Sequence, residues 1–152
     1  MVQLLVTNFR DGRGKIEIIQ ENGQTKICPQ SIDFPLEVED PAGAVMYDGT
    51  VVICGGWDGF FRSECYKLRN GVWQQRNQGL TTARYGHAAS ITASNTIWMT
   101  GGYNSGSLSS TEVIHPDGSV TPGPDLPEAR GYHCQVSYQN TTLIIGKCYF
   151  CK

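Results

Sequence analysis

The sequence predicts an all-β protein built from repeated units of four short antiparallel strands, and three observations support that prediction. Residues 50–57 (TVVICGGW) return as residues 96–103 (TIWMTGGY), 46 positions later, and again in a worn form as residues 142–147. A second segment, residues 80–87, returns at the same spacing as residues 126–133. No stretch holds apolar residues at helical spacing for three turns. A fixed period of this size is typical of the blades of a β-propeller.

The best-preserved unit shows how one period divides into strands. Small residues over 86–93 form the first strand, and the dense apolar run 96–100 forms the second. Residues 111–115 and 119–121 form the third and fourth. Short runs with β-branched enrichment, bounded by Gly, Asn, Asp and Pro, are typical of strands. The unit therefore predicts one four-stranded antiparallel blade.

A glycine doublet closes the densest apolar run of two units, as Gly55-Gly56 and as Gly101-Gly102. Glycine lets a backbone approach its neighbours closely and adopt φ > 0 where a strand leaves its sheet. We therefore predict a structural role for both doublets, at points where neighbouring blades crowd the strand. Gly146 is the first glycine of a third doublet, in which Lys147 replaces the second.

An apolar strand that ends in Gly-Gly, followed by Tyr66 and then Trp73, resembles the kelch repeat. Segments of the form Leu-x-x-Ala-Arg-x-x-His resemble the kelch connection between successive blades. In the third unit, Ile114 and Val120 stand where the Tyr and the Trp would be. The resemblance implies kelch-type blades in which Tyr66 and Trp73 cover the sheet face and fill the gap to the next blade.

The repeat divides the chain into a partial first blade (1–33), a second blade (34–79), a third blade (80–125), the start of a fourth blade (126–146) and a non-matching tail (147–152). In the first blade, residues 15–20 and 25–28 are the predicted third and fourth strands, joined by an Asn22-Gly23 hairpin turn. We expect an incomplete propeller that is a fragment of a longer kelch-type protein. Because open blade edges invite pairing, we also expect self-association. The tail is consistent with translation across a splice junction.

Six cysteines and one sequon bear on the compartment. Cys54 and Cys65 fall on strands that should be antiparallel neighbours, so a cross-strand disulfide is geometrically reasonable. The alternative is two small buried thiols. Asn140-Thr141-Thr142 is an N-glycosylation sequon. Together these features favour an extracellular or secreted protein, with a cytoplasmic protein as the alternative.

Composition argues against several function classes. The formal net charge is −2 with no basic stripe, so we expect no nucleic-acid partner. No apolar run approaches the length of a membrane span, so we expect no membrane partner. Cys148-x-x-Cys151 stands alone, which is weak evidence for zinc. His87 and His133 recur at the repeat period, which favours a structural role for both. We expect no catalytic residue, metal or cofactor.

The leading interpretation is a non-catalytic kelch-type module that binds a protein partner of unknown identity on the loops of one face. The alternative is a remnant of a secreted enzyme that resembles galactose oxidase, and a functionless gene fragment is a third interpretation. The loops after each Gly-Gly and before each first strand should share one end of the blades. They carry these candidate binding residues: Phe60, Phe61, Arg62, Arg84, Tyr85, Tyr103, Asn104, Arg130 and Tyr132. For Arg84 and Arg130, hydrogen bonding within the blade junction is the competing interpretation.

Overall fold

The structure is a computed structural model that describes residues 3–6, 16–19, 25–27, 33–139 and 141–146. These residues form strands and turns and contain no helix. The strands are β1 (Gln3–Val6), β2 (Ile16–Ile19), β3 (Thr25–Ile27), β4 (Ala42–Val45), β5 (Val51–Cys54), β6 (Cys65–Arg69), β7 (Val72–Gln75), β8 (Ala88–Ile91), β9 (Ile97–Thr100), β10 (Thr111–Ile114), β11 (Val120–Pro122), β12 (Cys134–Tyr138) and β13 (Thr141–Ile145). Within the described part of the chain, nothing helical is available to span a bilayer.

The strands form four antiparallel sheets in chain order. β4 to β7 make one four-stranded sheet and β8 to β11 make another, while β1 to β3 and β12 with β13 form smaller sheets. We call them the first (β1–β3), second (β4–β7), third (β8–β11) and fourth (β12–β13) blade. β8 packs against both β4 and β12, so the first strand of each of these blades lies innermost. The predicted all-β fold, with four-stranded antiparallel blades in an incomplete propeller, is confirmed.

The third-blade strands β9, β10 and β11 lie within one residue of their predicted bounds, whereas β8 spans Ala88–Ile91 and not 86–93. Asn70 and Gly71 have φ values of 52° and 76° and connect β6 to β7, as expected for a two-residue hairpin turn. β8 begins at Ala88 and not at Gly86, because the Gly86 amide donates to the carbonyl of Asp40 in the preceding blade junction. The corresponding turn at Asn22-Gly23 lies outside the described residues.

The core fills the gap between the second and third blades. Alternate residues of a strand point to opposite faces of its sheet. Val52 and Cys54 face the third blade, where they meet Ile97 and Met99. All four side chains are almost completely buried. Because the second and third blades cover each other's facing sides, stability depends on contacts between blades as well as within them.

The aromatic residues of the second blade lie on the face opposite to the one we expected. Phe34, in the segment before β4, makes edge-on contacts with Tyr66 and Trp73, at centroid distances of 5.4 and 5.0 Å. Tyr66 sits opposite Ile53 in the β5–β6 register, and Ile53 belongs to the same cluster as Phe34. Tyr66 and Trp73 therefore cover the side of the blade that faces back along the chain, away from the third blade.

Strand register also corrects one assignment in the third blade. Tyr66 is opposite Ile53, and the residue at the same place in the third blade is Glu112, opposite Met99. Ile114 corresponds instead to Leu68. Val120 does correspond to Trp73, because each is the fourth-strand partner of those two residues. A buried carboxylate therefore occupies, in the third blade, the place that Tyr66 has in the second.

A disulfide joins Cys54 to Cys65, which confirms the predicted bridge. The two cysteines are directly opposite each other at the ends of β5 and β6, with their Cα atoms 4.1 Å apart. In the third blade the same pair of positions holds Thr100 and Thr111. The bridge is therefore a local feature of one blade and not part of the repeat.

Candidate functional site

The loops after the glycine doublets and the loops before the first strands meet at one end of the blades. Glu39 and Trp57 exchange two backbone hydrogen bonds, of 2.7 and 2.9 Å. Tyr85 and Tyr103, the equivalent residues of the third blade, exchange two more, of 3.3 and 2.9 Å. We call the surface formed by residues 36–41, 55–64, 80–87, 101–110 and 126–133 the loop face. The structure thus brings together the loops that the sequence places on one face.

The glycine doublets make room for the chain that enters the next blade. The Gly56 amide donates to the Arg84 carbonyl at 2.9 Å, and the Gly102 amide donates to the Arg130 carbonyl at 2.8 Å. A Cβ atom on Gly55 would lie 2.5 Å from the Arg84 carbonyl oxygen, closer than real Cβ atoms approach. Gly101 would meet the Arg130 carbonyl oxygen in the same way. A side chain at either position would push successive blades apart.

Arg84 is locked inside the blade junction. Its Nη1 donates to the carbonyls of Gly101 and Ser110, at 2.7 and 2.9 Å. Its Nη2 forms a 2.9 Å ion pair with Glu112. The Arg84 side chain is 0% exposed and that of Glu112 is 3% exposed. This environment supports hydrogen bonding within the blade junction as the role of Arg84. Because its side chain is fully buried, Arg84 presents no side-chain atom at the loop face.

Arg130 occupies the equivalent position in the next junction with far fewer contacts. Its Nη1 donates to the Gly146 carbonyl at 3.2 Å, and its Nη2 lies 3.3 Å from the Glu128 carboxylate. The side chain is 22% exposed and that of Glu128 is 75% exposed. Arg130 thus bonds its own junction, as Arg84 does, and it remains accessible at the loop face.

The two repeated histidines are buried behind the glycine doublets. His133 Nε2 is 2.8 Å from Thr100 Oγ1, and that hydroxyl donates to the Gln135 side-chain carbonyl, so the imidazole donates to the hydroxyl. His87 has no hydrogen-bond partner on either ring nitrogen within the described chain. Burial, together with the smaller effects of the Arg84 and His133 charges, lowers the pKa of His87 to about 3. Both residues are buried, at 7% exposure each, and the lowered pKa values favour the neutral form of both rings.

Four aromatic rings form a cluster on the loop face, which we call the aromatic cluster: Phe61, Tyr85, Tyr103 and Tyr132. Phe61 lies 5.8 Å from Tyr85 and 6.3 Å from Tyr103, between ring centroids. Tyr85 meets Tyr103 and Tyr132 edge-on, at 5.7 and 5.9 Å. Three consecutive blade units contribute to it. Phe61 is therefore partly covered, whereas Phe60 beside it is 73% exposed.

Three residues with a left-handed backbone conformation connect the blade entries near the innermost strands through backbone hydrogen bonds. Asp40, Gly86 and Tyr132 are successive equivalents of the repeat, with φ values of 49°, 59° and 53°. The Gly86 amide donates to the Asp40 carbonyl at 3.0 Å, and the Tyr132 amide donates to the Gly86 carbonyl at 2.6 Å. Glycine adopts this conformation freely, but a bulky side chain there is an outlier. Repeat-based reasoning from the sequence did not show this feature of Tyr132.

The Tyr132 ring closes over the junction below it. A Cβ atom on Gly86 would lie 2.9 Å from Tyr132 Cζ, so the ring fills the space that glycine leaves. Burial raises the pKa of Tyr132, and a hydrogen bond with Tyr85 and the charge of Asp40 raise it further. Even so, Tyr132 is 48% exposed. The residue is held firmly in place and still presents its ring to solvent.

Arg62 is tied to acidic neighbours in its own loop. Its Nη2 is 2.7 Å from Asp58, and its Nη1 is 3.3 Å from Glu64. The hydrogen bond from Arg62 holds the pKa of the Asp58 carboxyl below its usual range. Asn104 is also part of the framework, because its side-chain amide donates to the Ala83 carbonyl at 2.8 Å. Arg62 and Asn104 therefore shape the loops that carry the exposed rings.

Three residues of this region were not singled out in the sequence. Trp57 is partly exposed beside Phe60, and Asp40 lies next to the Tyr132 phenol. Glu112 is the buried partner of Arg84. The first glycine doublet marks Trp57 as a loop residue, but nothing local in the sequence marks Glu112, because its role depends on a residue 28 positions away.

No group of three or more His, Cys, Asp or Glu side chains in the described part of the chain is arranged to hold a metal ion. Cys148 and Cys151, the sequon asparagine Asn140 and Lys147 lie outside the described residues. Cys134 is described, and it is an exposed free thiol at the start of β12.

Comparison with known proteins informs the fold. No protein-family model and no curated protein matches this sequence. The chain is similar to the solved structure of YjhT, a propeller protein, with a TM-score of 0.70 and 15% sequence identity. The match covers 88% of this chain and 45% of the YjhT chain, so this chain spans less than half of the length of YjhT. Together with the four antiparallel sheets, this likeness shows that the protein is an incomplete β-propeller.

Proposed function

We propose that this protein is a non-catalytic, kelch-type module that binds a protein partner on its loop face. One observation carries the proposal: Tyr132 holds a half-exposed ring in a left-handed backbone conformation, at a position where the preceding blade has Gly86. A strained backbone of this kind costs about 1–3 kcal/mol. Strain of this kind clusters at functional sites.

The surroundings of Tyr132 support a contact surface. Trp57 and Phe60 lie in one loop of the second blade, and Tyr132 lies at the entry to the fourth; they are 37%, 73% and 48% exposed. Tryptophan, tyrosine and arginine are the residues that most often dominate binding energy at protein interfaces. Arg130 supplies an accessible guanidinium beside Tyr132. Aromatic anchors on a rigid junction lose little conformational freedom when a partner binds.

The test compares partner capture by matched aromatic variants. Phe60→Ala and Tyr132→Gly each remove an exposed ring from the loop face. Tyr47→Ala is the control, because Tyr47 is equally exposed but lies in the β4–β5 turn at the other end of the blades. We expect proteins captured by the wild-type chain to be lost from the two loop-face variants and retained by the control. Circular dichroism checks that each variant is folded.

Two outcomes would contradict the proposal. One is capture of the same proteins, in the same amounts, by Phe60→Ala, Tyr132→Gly and the wild type. The other is equal loss in Tyr47→Ala, which would place the contact away from the loop face.

A further inference from the structure

We infer that the loop face takes a basic segment of its partner, with a lysine or arginine side chain seated on the aromatic cluster and paired with Asp40. The inference rests on the proposed function and adds the chemistry of the partner. It is carried by the distribution of charge on the loop face and by the arrangement of the rings.

The loop face has an excess of acidic residues. Its ranges contain six acidic residues and three arginines, with no lysine. The acidic residues are Glu37, Glu39, Asp40, Asp58, Glu64 and Glu128. A surface with this balance attracts cationic groups and repels acidic ones.

All three arginines of the loop face are already engaged. Arg62 is paired with Asp58 and Glu64, Arg84 with the buried Glu112, and Arg130 with Glu128. Glu37, Glu39 and Asp40, by contrast, form no ion pair with any described residue. The negative charge left over therefore lies in the segment 37–40, which leads into the innermost strand β4. This places it beside the aromatic cluster, because Asp40 is in contact with the Tyr132 phenol.

The rings supply the second half of a cation site. A guanidinium or ammonium group is attracted to an aromatic face within about 6 Å of its centroid, and more strongly where water is excluded. Tyr85 meets both Tyr103 and Tyr132 edge-on, and Tyr132 is 48% exposed, so its ring is open to a cation while its neighbours hold it in place. The Asp40 carboxylate is then a counter-ion for a cation that rests on Tyr132. An acidic segment on the same surface would meet Glu37, Glu39 and Asp40 at close range.

The probe is an unbiased library of dodecapeptides displayed on phage and selected on the immobilised protein. Expected winners carry arginine or lysine above the library frequency. In a synthetic copy of the best peptide, replacing each arginine by citrulline keeps its shape and removes its charge. We expect this replacement to weaken binding by about tenfold or more, because it removes both the cation–π contact and the ion pair.

Two pairs of variants locate the site. Asp40→Asn and Asp117→Asn each remove one negative charge, but Asp117 lies in the turn between β10 and β11 at the opposite end of its blade. Asparagine tolerates the left-handed conformation of position 40 and can keep the turn bond at position 117. Tyr132→Gly is paired with Tyr47→Ala in the same way. The peptide should bind several-fold more weakly to Asp40→Asn and Tyr132→Gly, and unchanged to Asp117→Asn and Tyr47→Ala.

The outcomes distinguish failure of the basic-segment inference from failure of the proposed function. Winners that are neutral or acidic but still lose binding in Tyr132→Gly would overturn the basic partner and leave the proposed function standing. Equal weakening by Asp40→Asn and Asp117→Asn would show a general attraction of charges and overturn the site. Recovery of no peptide, or only of peptides indifferent to Tyr132 and Phe60, would overturn the proposed function as well.

Discussion

The buried carboxylate of Glu112 offers the sharpest test of how the blades are held together. It accepts hydrogen bonds from the Thr81 amide at 2.6 Å, the Thr81 hydroxyl at 2.7 Å and the Thr82 amide at 3.1 Å, besides pairing with Arg84 at 2.9 Å. In Glu112→Gln one oxygen becomes an NH₂ group. Whichever oxygen is replaced, a donor then faces a backbone amide, and the buried Arg84 loses its counter-charge.

The expected loss is large because the site is dry. Breaking a buried ion pair by removing one partner costs about 3–5 kcal/mol, since the other charge stays uncompensated. The control is Arg130→Met, which removes the arginine at the equivalent position together with its partly exposed pair with Glu128. Exposed ion pairs contribute about 1 kcal/mol or less. The ion pair of Arg84 should therefore contribute several times more to the free energy of unfolding than the ion pair of Arg130.

Urea unfolding, followed by tryptophan fluorescence at one fixed protein concentration, measures both variants. With a slope of about 2 kcal/mol per M for a small domain, Glu112→Gln should lower the midpoint by about 2 M and Arg130→Met by about 0.5 M or less. The double variant Arg84→Met, Glu112→Leu should lose less unfolding free energy than the sum of the losses in its two single variants, because no unpaired charge remains buried. A Glu112→Gln midpoint no lower than that of Arg130→Met would refute the reasoning.

Four further outcomes are expected. Replacing Cys54 and Cys65 by threonine, which copies the third blade, should lower the unfolding free energy by about 2–3 kcal/mol, and a non-reduced digest of the wild type should contain the bridged peptide. Tyr132→Gly should change the unfolding free energy by about 1 kcal/mol or less while binding is lost, because the relief of left-handed strain offsets the lost contacts with Tyr85 and Gly86. A large destabilisation would contradict this. The pKa of His87 is about 3 in the folded state and 6.5 in the unfolded state, so its contribution to stability is fully present above pH 6.5. That contribution falls by up to about 1.4 kcal/mol per pH unit as the pH drops towards 3. His87→Gln should therefore make the unfolding free energy less dependent on pH in this range. Leu143→Lys should weaken self-association, because Leu143 belongs to an exposed apolar face of the β12–β13 hairpin. Sedimentation at several protein concentrations measures the association constant, and an unchanged value would place the contact elsewhere.

The repeat made most of the fold predictable. Strands, hairpin turns and glycine doublets depend on short-range chemistry that recurs every 46 residues, so each copy reinforces the prediction from the others. The disulfide was predictable for the same reason, because the strand pairing of one blade places Cys54 opposite Cys65. Which face of the second blade the aromatic rings cover was not predictable, since it depends on Phe34 from outside the four strands.

The candidate site was predictable in outline but not in its details. Placing the loops on one end of the blades required only antiparallel strands. Whether Arg84 reaches solvent depended on Glu112, whose position in the register was shifted by two residues in the sequence alignment of the units. The left-handed conformation of Tyr132 was invisible because it follows from hydrogen bonds between three blade entries. Long-range contacts of this kind leave no local pattern.

The positions at which one blade differs from its neighbour are therefore the most informative about function. They differ in whether contacts within the protein offset the energetic cost of the substitution. Glu112 replaces a tyrosine, and Arg84 neutralises it inside the junction. Cys54 and Cys65 replace two threonines of the neighbouring blade, and the bond between them stabilises their own sheet. Tyr132 replaces a glycine at a left-handed position, and half of its side chain remains in water. Of these three departures, Tyr132 is the one whose side chain remains half exposed, so we expect a partner to contact that ring.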